Sequence, residues 1–221
     1  MISTSIFGRG KMGMAIADIA VRAGAAVQVF KHSTADRSKA VHDRTDVSYA
    51  KFGDDLTGDL VILAIPQGAH ANILKHYGDR LSGKIVVDIS NSIDFATYER
   101  REDLRNTSAA LELARQLPED VVVLKAFNVN LADTLRTGSN GYTTTRVLFA
   151  GDDAEAKLAL TALLEAAGLE AVDVGPLQRS RELEAMGYLQ ITLAATGQTE
   201  YESGFTLLPR VEPLYPRAKA A

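Results

Sequence analysis

Short apolar runs rich in Val and Ile alternate along this chain with segments in which apolar residues recur at helical spacing. Several runs are apolar at every position, which is typical of strands inside a parallel sheet that helices cover on both faces. The alternation therefore predicts an α/β fold with a Rossmann-type, doubly wound and mostly parallel sheet. The predicted strands are 3–7, 26–30, 60–65, 85–89, 121–126, 146–150 and 171–174.

An amphipathic helix is predicted between the first two strands. Its apolar stripe has the i, i+3, i+4, i+7 spacing and consists of Met12, Ala15, Ile16, Ile19, Ala20 and Ala23. Gly24 is expected to end this helix. By contrast, residues 33–59 are polar and weakly periodic, so the next strand of a regular half-sheet is predicted to be short or missing.

A cluster of Gly, Ser, Thr and Asn at 137–145 divides the pattern into two parts. We expect a dinucleotide-binding domain at 1–140 and a smaller C-terminal α/β domain at 141–208. In the second part, one helix is predicted to begin at Asp152 or Asp153 and to end at Gly168, and a longer helix to span 179–196. The prolines of 209–221 cannot continue that helix, so these residues are predicted to form a tail.

The first predicted strand runs into a G-x-G-x-x-G turn, directly before the predicted helix. In this setting Gly8 permits a tight turn, Gly10 lets the backbone approach a pyrophosphate, and Gly13 allows close packing. The N–H groups and the positive dipole end of the helix would face the phosphates. The residues predicted to bind a dinucleotide are Gly8, Arg9, Gly10, Lys11, Met12 and Gly13, and the alternative is a turn whose glycines are only structural.

The end of the second predicted strand indicates which nucleotide is bound. An NAD-selective site normally has an acid there for the ribose 2′-hydroxyl, but this chain continues Lys31-His32-Ser33 with Arg37 nearby. Basic and hydroxyl groups can bind a 2′-phosphate through charge-assisted hydrogen bonds. The loop therefore favours NADP(H), with Arg9 adding to the same pocket or stacking on the adenine; a solvated basic loop is the alternative.

Further candidates lie at the carboxyl ends of other predicted strands, where doubly wound sheets bind ligands. Ala64, Ile65 and Pro66 offer small side chains and a fixed backbone against which a dinucleotide could lie. Asn91 and Asn128 could hydrogen-bond a carboxamide or a ring carbonyl, or could serve only as turn formers.

Two ionisable residues near these strand ends each have more than one possible role. His70 either contacts the cofactor or lies on a plain helix surface. Lys125 could be a general acid, but a lysine that ends a buried strand more often extends to solvent. No Ser-His-Asp triad or carboxylate pair can be argued from the spacing, so the catalytic residues stay unassigned.

Composition narrows the range of partners. The 221 residues, 46% hydrophobic and 24% charged, suit one globular domain or one domain with a small appendage. A net charge of −4 argues against nucleic acid as the main partner. Zero Cys and four widely spaced His argue against a metal site. With no visible signal peptide or bilayer-length apolar run, a cytoplasmic protein without a membrane partner is predicted.

The chain resembles the NADPH-dependent reductases of the deazaflavin coenzyme F-420 and the related dinucleotide-binding module of the STEAP metalloreductases. The matching segments are FGRGKMG, DLVILAIP, GKIVVDISN, LKAFN, VLFAGDDAEAK and DVGPL. The resemblance implies a Rossmann domain and a small C-terminal domain, with NADP(H) and, in true members, the deazaflavin in the cleft between them. The implied cofactor contacts are the glycine turn, residues 31–33, Ile65, Pro66, Ala126 and Phe127. This chain departs from the family in having Asn91-Ser92 in place of Asn-Pro, and Lys31-His32 in place of the commoner Ser-Arg.

Hydride transfer between two bound rings depends mainly on positioning, so it does not require an acid–base pair. The leading hypothesis is an NADP(H)-dependent oxidoreductase whose partner is a small-molecule redox acceptor, a flavin or a deazaflavin. One alternative is a non-enzymatic NADP(H)-binding redox sensor. Another is an imine or keto reductase, for which the short C-terminal part would require a homodimer.

Overall fold

A computed structural model describes residues 2–31, 45–94, 97–100 and 106–207. Within these ranges the strands are β1 (Thr4–Phe7), β2 (Val27–Lys31), β3 (Ser48–Lys51), β4 (Leu60–Leu63), β5 (Ile85–Asp88), β6 (Ile93–Asp94), β7 (Glu99–Arg100), β8 (Val122–Lys125), β9 (Ser139–Asn140), β10 (Thr143–Thr144), β11 (Arg146–Gly151) and β12 (Glu170–Asp173). The helices are α1 (Lys11–Arg22), α2 (His70–Tyr77), α3 (Ala109–Ala114), α4 (Ala132–Thr137), α5 (Ala154–Ala166) and α6 (Ser180–Ala195).

One sheet has the strand order β12-β11-β8-β5-β4-β1-β2-β3. Its neighbours are parallel, except that β11 runs antiparallel to β8, so the last two strands are reversed. The predicted Rossmann-type, mostly parallel α/β fold is confirmed, and each predicted strand end lies within two residues of the observed one. The strand order reverses between β1 and β4, which is the point where doubly wound sheets bind ligands.

Helix α1 covers one face of the sheet with small and branched side chains. The predicted stripe is confirmed, because Ala15, Ile16 and Ile19 are almost completely buried. Gly24 follows the helix with a φ of +76°, and its N–H donates to Val21 O at 2.8 Å. This left-handed glycine ends the helix as predicted.

The weakly patterned stretch contains a short edge strand, β3. Of its four residues only Ala50 is buried, because an edge strand on this sheet has few side chains to pack against. The prediction of a short strand is confirmed. The predicted site residues His32 and Ser33 lie outside the described residues.

The C-terminal part of the chain extends the same sheet through β11 and β12. Helix α5 begins after Asp153, whose carboxylate accepts a hydrogen bond from Ala156 N at 2.7 Å, and Gly168 follows the helix with a φ of +81°. These helix ends are the predicted ones. Since strands on both sides of residue 140 belong to one sheet, the division into two domains stays a prediction.

Two apolar layers enclose the sheet, one on the side of α1 and α5 and the other on the side of α2 and α3. Helix α6 packs on β11 through Leu183. In the parts of the chain that the structure describes, no helix combines the length and apolar content needed to cross a membrane.

Candidate functional site

The glycine turn lies at the switch point of the sheet. Gly8 follows β1 with a φ of +116°, and a Cβ added to it would lie 2.1 Å from the carbonyl oxygen of Ala64, just after β4. A Cβ added to Gly13 would lie 1.9 Å from the carbonyl oxygen of Gly8. The fold therefore requires glycine at both positions, because any side chain would push the turn away from the end of β4.

Gly10 differs from the other two glycines of the turn. It precedes α1 with an ordinary φ of −73°, and a Cβ added to it would meet nothing within 4 Å. The fold itself thus leaves room for a side chain here. No acidic residue occupies the first turn of α1, and no described side chain caps it. The open space and the positive end of the helix dipole fit the phosphates of a dinucleotide.

Two cations approach one aromatic ring near the end of β2. Lys31 Nζ lies 4.4 Å from the ring centroid of Tyr49, which belongs to the neighbouring strand β3. Arg9 Cζ, from the glycine turn, lies 5.1 Å from the same centroid. The structure therefore groups Arg9 and Lys31, which sequence reasoning assigned to one pocket, and adds Tyr49, for which the sequence contained no signal.

A cavity of about 410 Å³ opens beside the start of α1. Of the predicted site residues, those that line it are Lys11, Met12, Ala64, Ile65, Pro66, Asn91 and Asn128. The remaining described ones, Gly8, Arg9, Gly10, Gly13, Lys31, His70, Ala126 and Phe127, do not line it. Lining residues that sequence reasoning missed are Ile89, Ser90, Tyr98, Asn130, Leu131, Ala132, Asp133, Ile191 and Tyr201.

The two predicted asparagines bind each other at the cavity floor. Asn91 Nδ2 donates to the carbonyl oxygen of Asn128 at 3.0 Å, and Asn128 Nδ2 donates to Asn91 Oδ1 at 2.9 Å and to Leu183 O at 2.8 Å. Gly187 of α6 packs against this pair, since an added Cβ would lie 2.2 Å from Asn91 Oδ1. The amides thus fix α6 against the ends of β5 and β8, which is a structural role.

A strained turn follows β8. Phe127 is completely buried with a φ of +62°, and Asn128 N donates across it to Ala126 O at 2.8 Å. A left-handed backbone at a bulky residue costs about 1–3 kcal/mol, so the surrounding packing must enforce it. Asn128, the next residue, lines the cavity, whereas Ala126 and Phe127 themselves lie in the core.

Lys125 lies beneath the cavity floor. The expectation that its side chain reaches solvent is wrong, because Nζ is completely buried and donates to Asp88 Oδ2 and Glu184 Oε1, both at 2.8 Å, and to Ser90 O. Burial alone would lower the pKa of Lys125, but the two carboxylates outweigh it and hold that pKa above its ordinary value. Lys125 is therefore a buried counter-ion for two acids.

The two acids have further partners of their own. Burial alone would raise the pKa of Asp88, but Lys125 and then His70 outweigh it and hold that pKa far below its ordinary value. Glu184 Oε2 accepts from Ala109 N at 3.1 Å at the start of α3, and from the Ser92 hydroxyl. The cluster therefore joins β5, β8, α3 and α6.

His70 belongs to this cluster rather than to the helix surface. His70 is 5% exposed, and its Nε2 lies 3.4 Å from Asp88 Oδ1. The alternative of a plain helix surface is therefore wrong. Contact of His70 with a cofactor stays a prediction.

Comparison with known proteins relates the site to a family. The family model described as "NADP oxidoreductase coenzyme F420-dependent" matches residues 3–92. Metalloreductase STEAP3 of Rattus norvegicus is 34% identical over 117 residues, which are 53% of this chain and 22% of that protein. The F420-dependent NADP reductase of Methanocaldococcus jannaschii is 29% identical over 139 residues, which are 62% of each chain. The match thus spans less than two thirds of either relative.

A solved structure supports the same relationship at the level of the fold. The protein from Arthrobacter sp. FB24, provisionally assigned as an F420-dependent NADP reductase, has a TM-score of 0.81 and 23% identity. The alignment covers 95% of this chain and all of that one. The family model and the archaeal relative thus show that the chain is similar to coenzyme F420-dependent NADP oxidoreductases over part of its length, and the solved structure shows that it shares their Rossmann-type fold.

Proposed function

We propose that this protein is an NADP(H)-dependent oxidoreductase that transfers hydride between the nicotinamide and a flavin-like or deazaflavin acceptor. The observation that carries the proposal is the open space at Gly10, directly beside a cavity that begins at Lys11 and Met12. A dinucleotide on that turn would extend its far ring into the cavity. NADP(H) supplies the hydride when bound, and the protein supplies positioning.

Each part of the site would have a separate task. The turn from Gly8 to Gly13 would bind the diphosphate through backbone N–H groups. Arg9 and Lys31 would bind the 2′-phosphate, together with His32 and Ser33 if that loop contributes as predicted. The residues proposed to lie along the rest of the cofactor are those that line the cavity, Ala64, Ile65, Pro66, Asn91 and Asn128. Contact of the cofactor with His70, Ala126 and Phe127, which are buried and do not line the cavity, stays a prediction. No cavity-lining group in the described ranges has to react chemically in this scheme.

The cavity suits an aromatic acceptor. Its volume of about 410 Å³ lies within the usual range of small-molecule sites. Two tyrosines line it while remaining partly exposed, Tyr98 at 42% and Tyr201 at 53%. Aromatic side chains stack on planar rings, so an isoalloxazine-like or deazaflavin ring is the acceptor class that fits best.

The phosphate site can be tested with matched glycine variants. Gly10→Ala should weaken NADPH binding at least tenfold, because the added methyl group occupies the space left for the diphosphate. Gly78→Ala is the control, since Gly78 also has nothing within 4 Å of an added Cβ and lies at the end of α2. Calorimetry on both variants gives the dissociation constants. Unchanged affinity in Gly10→Ala would refute the phosphate site.

The choice of nucleotide can be tested by reversing one charge. Lys31→Glu should weaken NADPH by about 1–3 kcal/mol more than NADH, because a charge-assisted contact is replaced by repulsion. Lys75→Glu makes the same charge change on the exposed surface of α2 and should affect the two nucleotides equally. Equal losses in Lys31→Glu would refute the 2′-phosphate pocket.

The acceptor can be identified by mixing the protein and NADPH with deazaflavin, flavin, quinone, imine and keto acceptors. Multiple-turnover oxidation of NADPH with a flavin or deazaflavin supports the proposal. Tight binding without turnover would favour the redox sensor, and turnover of an imine or ketone would favour the third alternative. Sedimentation of the same sample tests the predicted homodimer.

A further inference from the structure

Tyr49 lies where β3 passes the end of β2. In the register of the two strands it is opposite Val29, two residues before Lys31. It is partly buried and packs on the apolar layer that contains α1. The ring therefore lies on the same face of the sheet as the helix whose first turn carries the glycine motif.

Two basic side chains from different elements converge on this ring. Lys31 reaches it along β2, with Nζ 4.4 Å from the centroid, and Arg9 reaches it from the glycine turn, with Cζ 5.1 Å from the centroid. Both distances lie inside the 6 Å range in which an aromatic face attracts a cation. One ring thus restrains two flexible cations that are 22 residues apart in the sequence.

Restraint matters because long side chains lose conformational freedom when they bind an anion. Ordering a rotamer-rich side chain at a binding site costs conformational entropy that reduces the affinity. A ring that already restrains Arg9 and Lys31 lowers this cost for an anion that binds both. A phosphate monoester on the ribose is such an anion, whereas an unmodified ribose gains nothing from the two charges.

We propose that Tyr49 is a specificity-determining residue that positions Arg9 and Lys31 to bind the 2′-phosphate of NADP(H). The inference rests on the proposed function for its ligand. It concerns only the adenosine end of that ligand, so it can be tested without hydride transfer. The aromatic ring acts through the two cations and not through contact with the nicotinamide or the acceptor.

The test uses two substitutions of Tyr49 and two probes that lack nicotinamide. The probes are adenosine 2′,5′-bisphosphate and adenosine 5′-monophosphate, which differ only in the 2′-phosphate. Tyr49→Leu keeps apolar bulk but removes the ring, and should reduce the preference for the bisphosphate about three- to thirtyfold, as expected for loss of cation–π contacts. Tyr49→Phe keeps the ring and should retain at least half of the wild-type preference.

The outcomes separate positioning from a structural role. If Tyr49→Leu weakens both probes equally, Tyr49 only supports the fold, and the inference is overturned. If Tyr49→Phe loses the preference as fully as Tyr49→Leu, the hydroxyl rather than the ring is responsible, and the inference is again overturned. Should Tyr49→Leu fail to fold, Tyr49→Met replaces the ring with a flexible chain of similar reach and carries the same expectation. If Tyr49→Leu loses the preference and Tyr49→Phe keeps it, but the wild type turns over NADPH with none of the acceptors, the proposed enzyme is refuted while the role of Tyr49 is supported.

Discussion

Replacing Lys125 by Met would remove the positive charge from beneath the cavity floor while keeping most of the side-chain volume. The substitution leaves Asp88, 0% exposed, and Glu184, 2% exposed, without their shared counter-ion. Breaking a buried ion pair by deleting one partner typically costs about 3–5 kcal/mol. Because a domain of this kind is stable by only about 5–15 kcal/mol, Lys125→Met should lose a large fraction of the free energy of unfolding.

Urea unfolding of the wild type and three variants measures this loss. Lys157→Met is the control, because the Lys157–Asp173 pair has the same 2.8 Å distance but is 20% and 45% exposed, and its loss should cost about 0–1 kcal/mol. Adding Asp88→Asn to Lys125→Met removes one of the two uncompensated acids and should restore part of the stability. A cost below about 1 kcal/mol for Lys125→Met, with an unchanged m-value, would refute the buried ion-pair cluster.

The same cluster predicts how stability depends on pH. Asp88 has a pKa below its ordinary value of 3.8, so its contribution to the free energy of unfolding is present above pH 3.8 and is lost as the pH falls towards the folded-state pKa. In unfolding measured from pH 5 to pH 2, Asp88→Asn should therefore flatten the acid limb, which is the loss of stability with falling pH. Lys125 has a pKa above its ordinary value of 10.5, so its contribution to the free energy of unfolding is present below pH 10.5 and is lost as the pH rises further. An acid limb unchanged in Asp88→Asn would contradict the pairing. Separately, Gly13→Ala should lower the melting temperature far more than Gly78→Ala, because its methyl group would lie 1.9 Å from Gly8 O; equal melting temperatures would show that the turn can relax.

The fold could be predicted because most strands of the large sheet are central and parallel. Successive residues of one strand, such as Val61 and Ile62, are buried on opposite faces of the sheet, which requires the continuous apolar runs seen in the sequence. The glycine turn could also be predicted from the sequence, because close backbone contacts at Gly8 and Gly13 permit no residue other than glycine. Edge strand β3 lacks such a pattern because three of its four residues are not buried.

The parts of the site that could not be predicted depend on contacts between distant residues. Lys125 meets Glu184 across 59 positions of sequence, and no local pattern distinguishes that lysine from one that extends to solvent. Tyr98 and Tyr201 line the cavity from the turn before β7 and from the segment after α6, where periodicity carries no information. The sequence could locate the strand ends but not the side chains that the C-terminal part places over them.

The same C-terminal contacts link stability to the shape of the cavity. Glu184, Gly187 and Ile191 lie on α6 at helical spacing: the first binds Lys125, the second packs on the asparagine pair, and the third lines the cavity. The ion-pair cluster therefore sets the position of one cavity wall as well as the stability of the fold. It follows that a variant such as Lys125→Met should change binding of the proposed acceptor more than binding of the adenosine end of the proposed cofactor, because the glycine turn packs on β1 and the end of β4, Tyr49 lies on β3 beside β2, and neither contact involves α6.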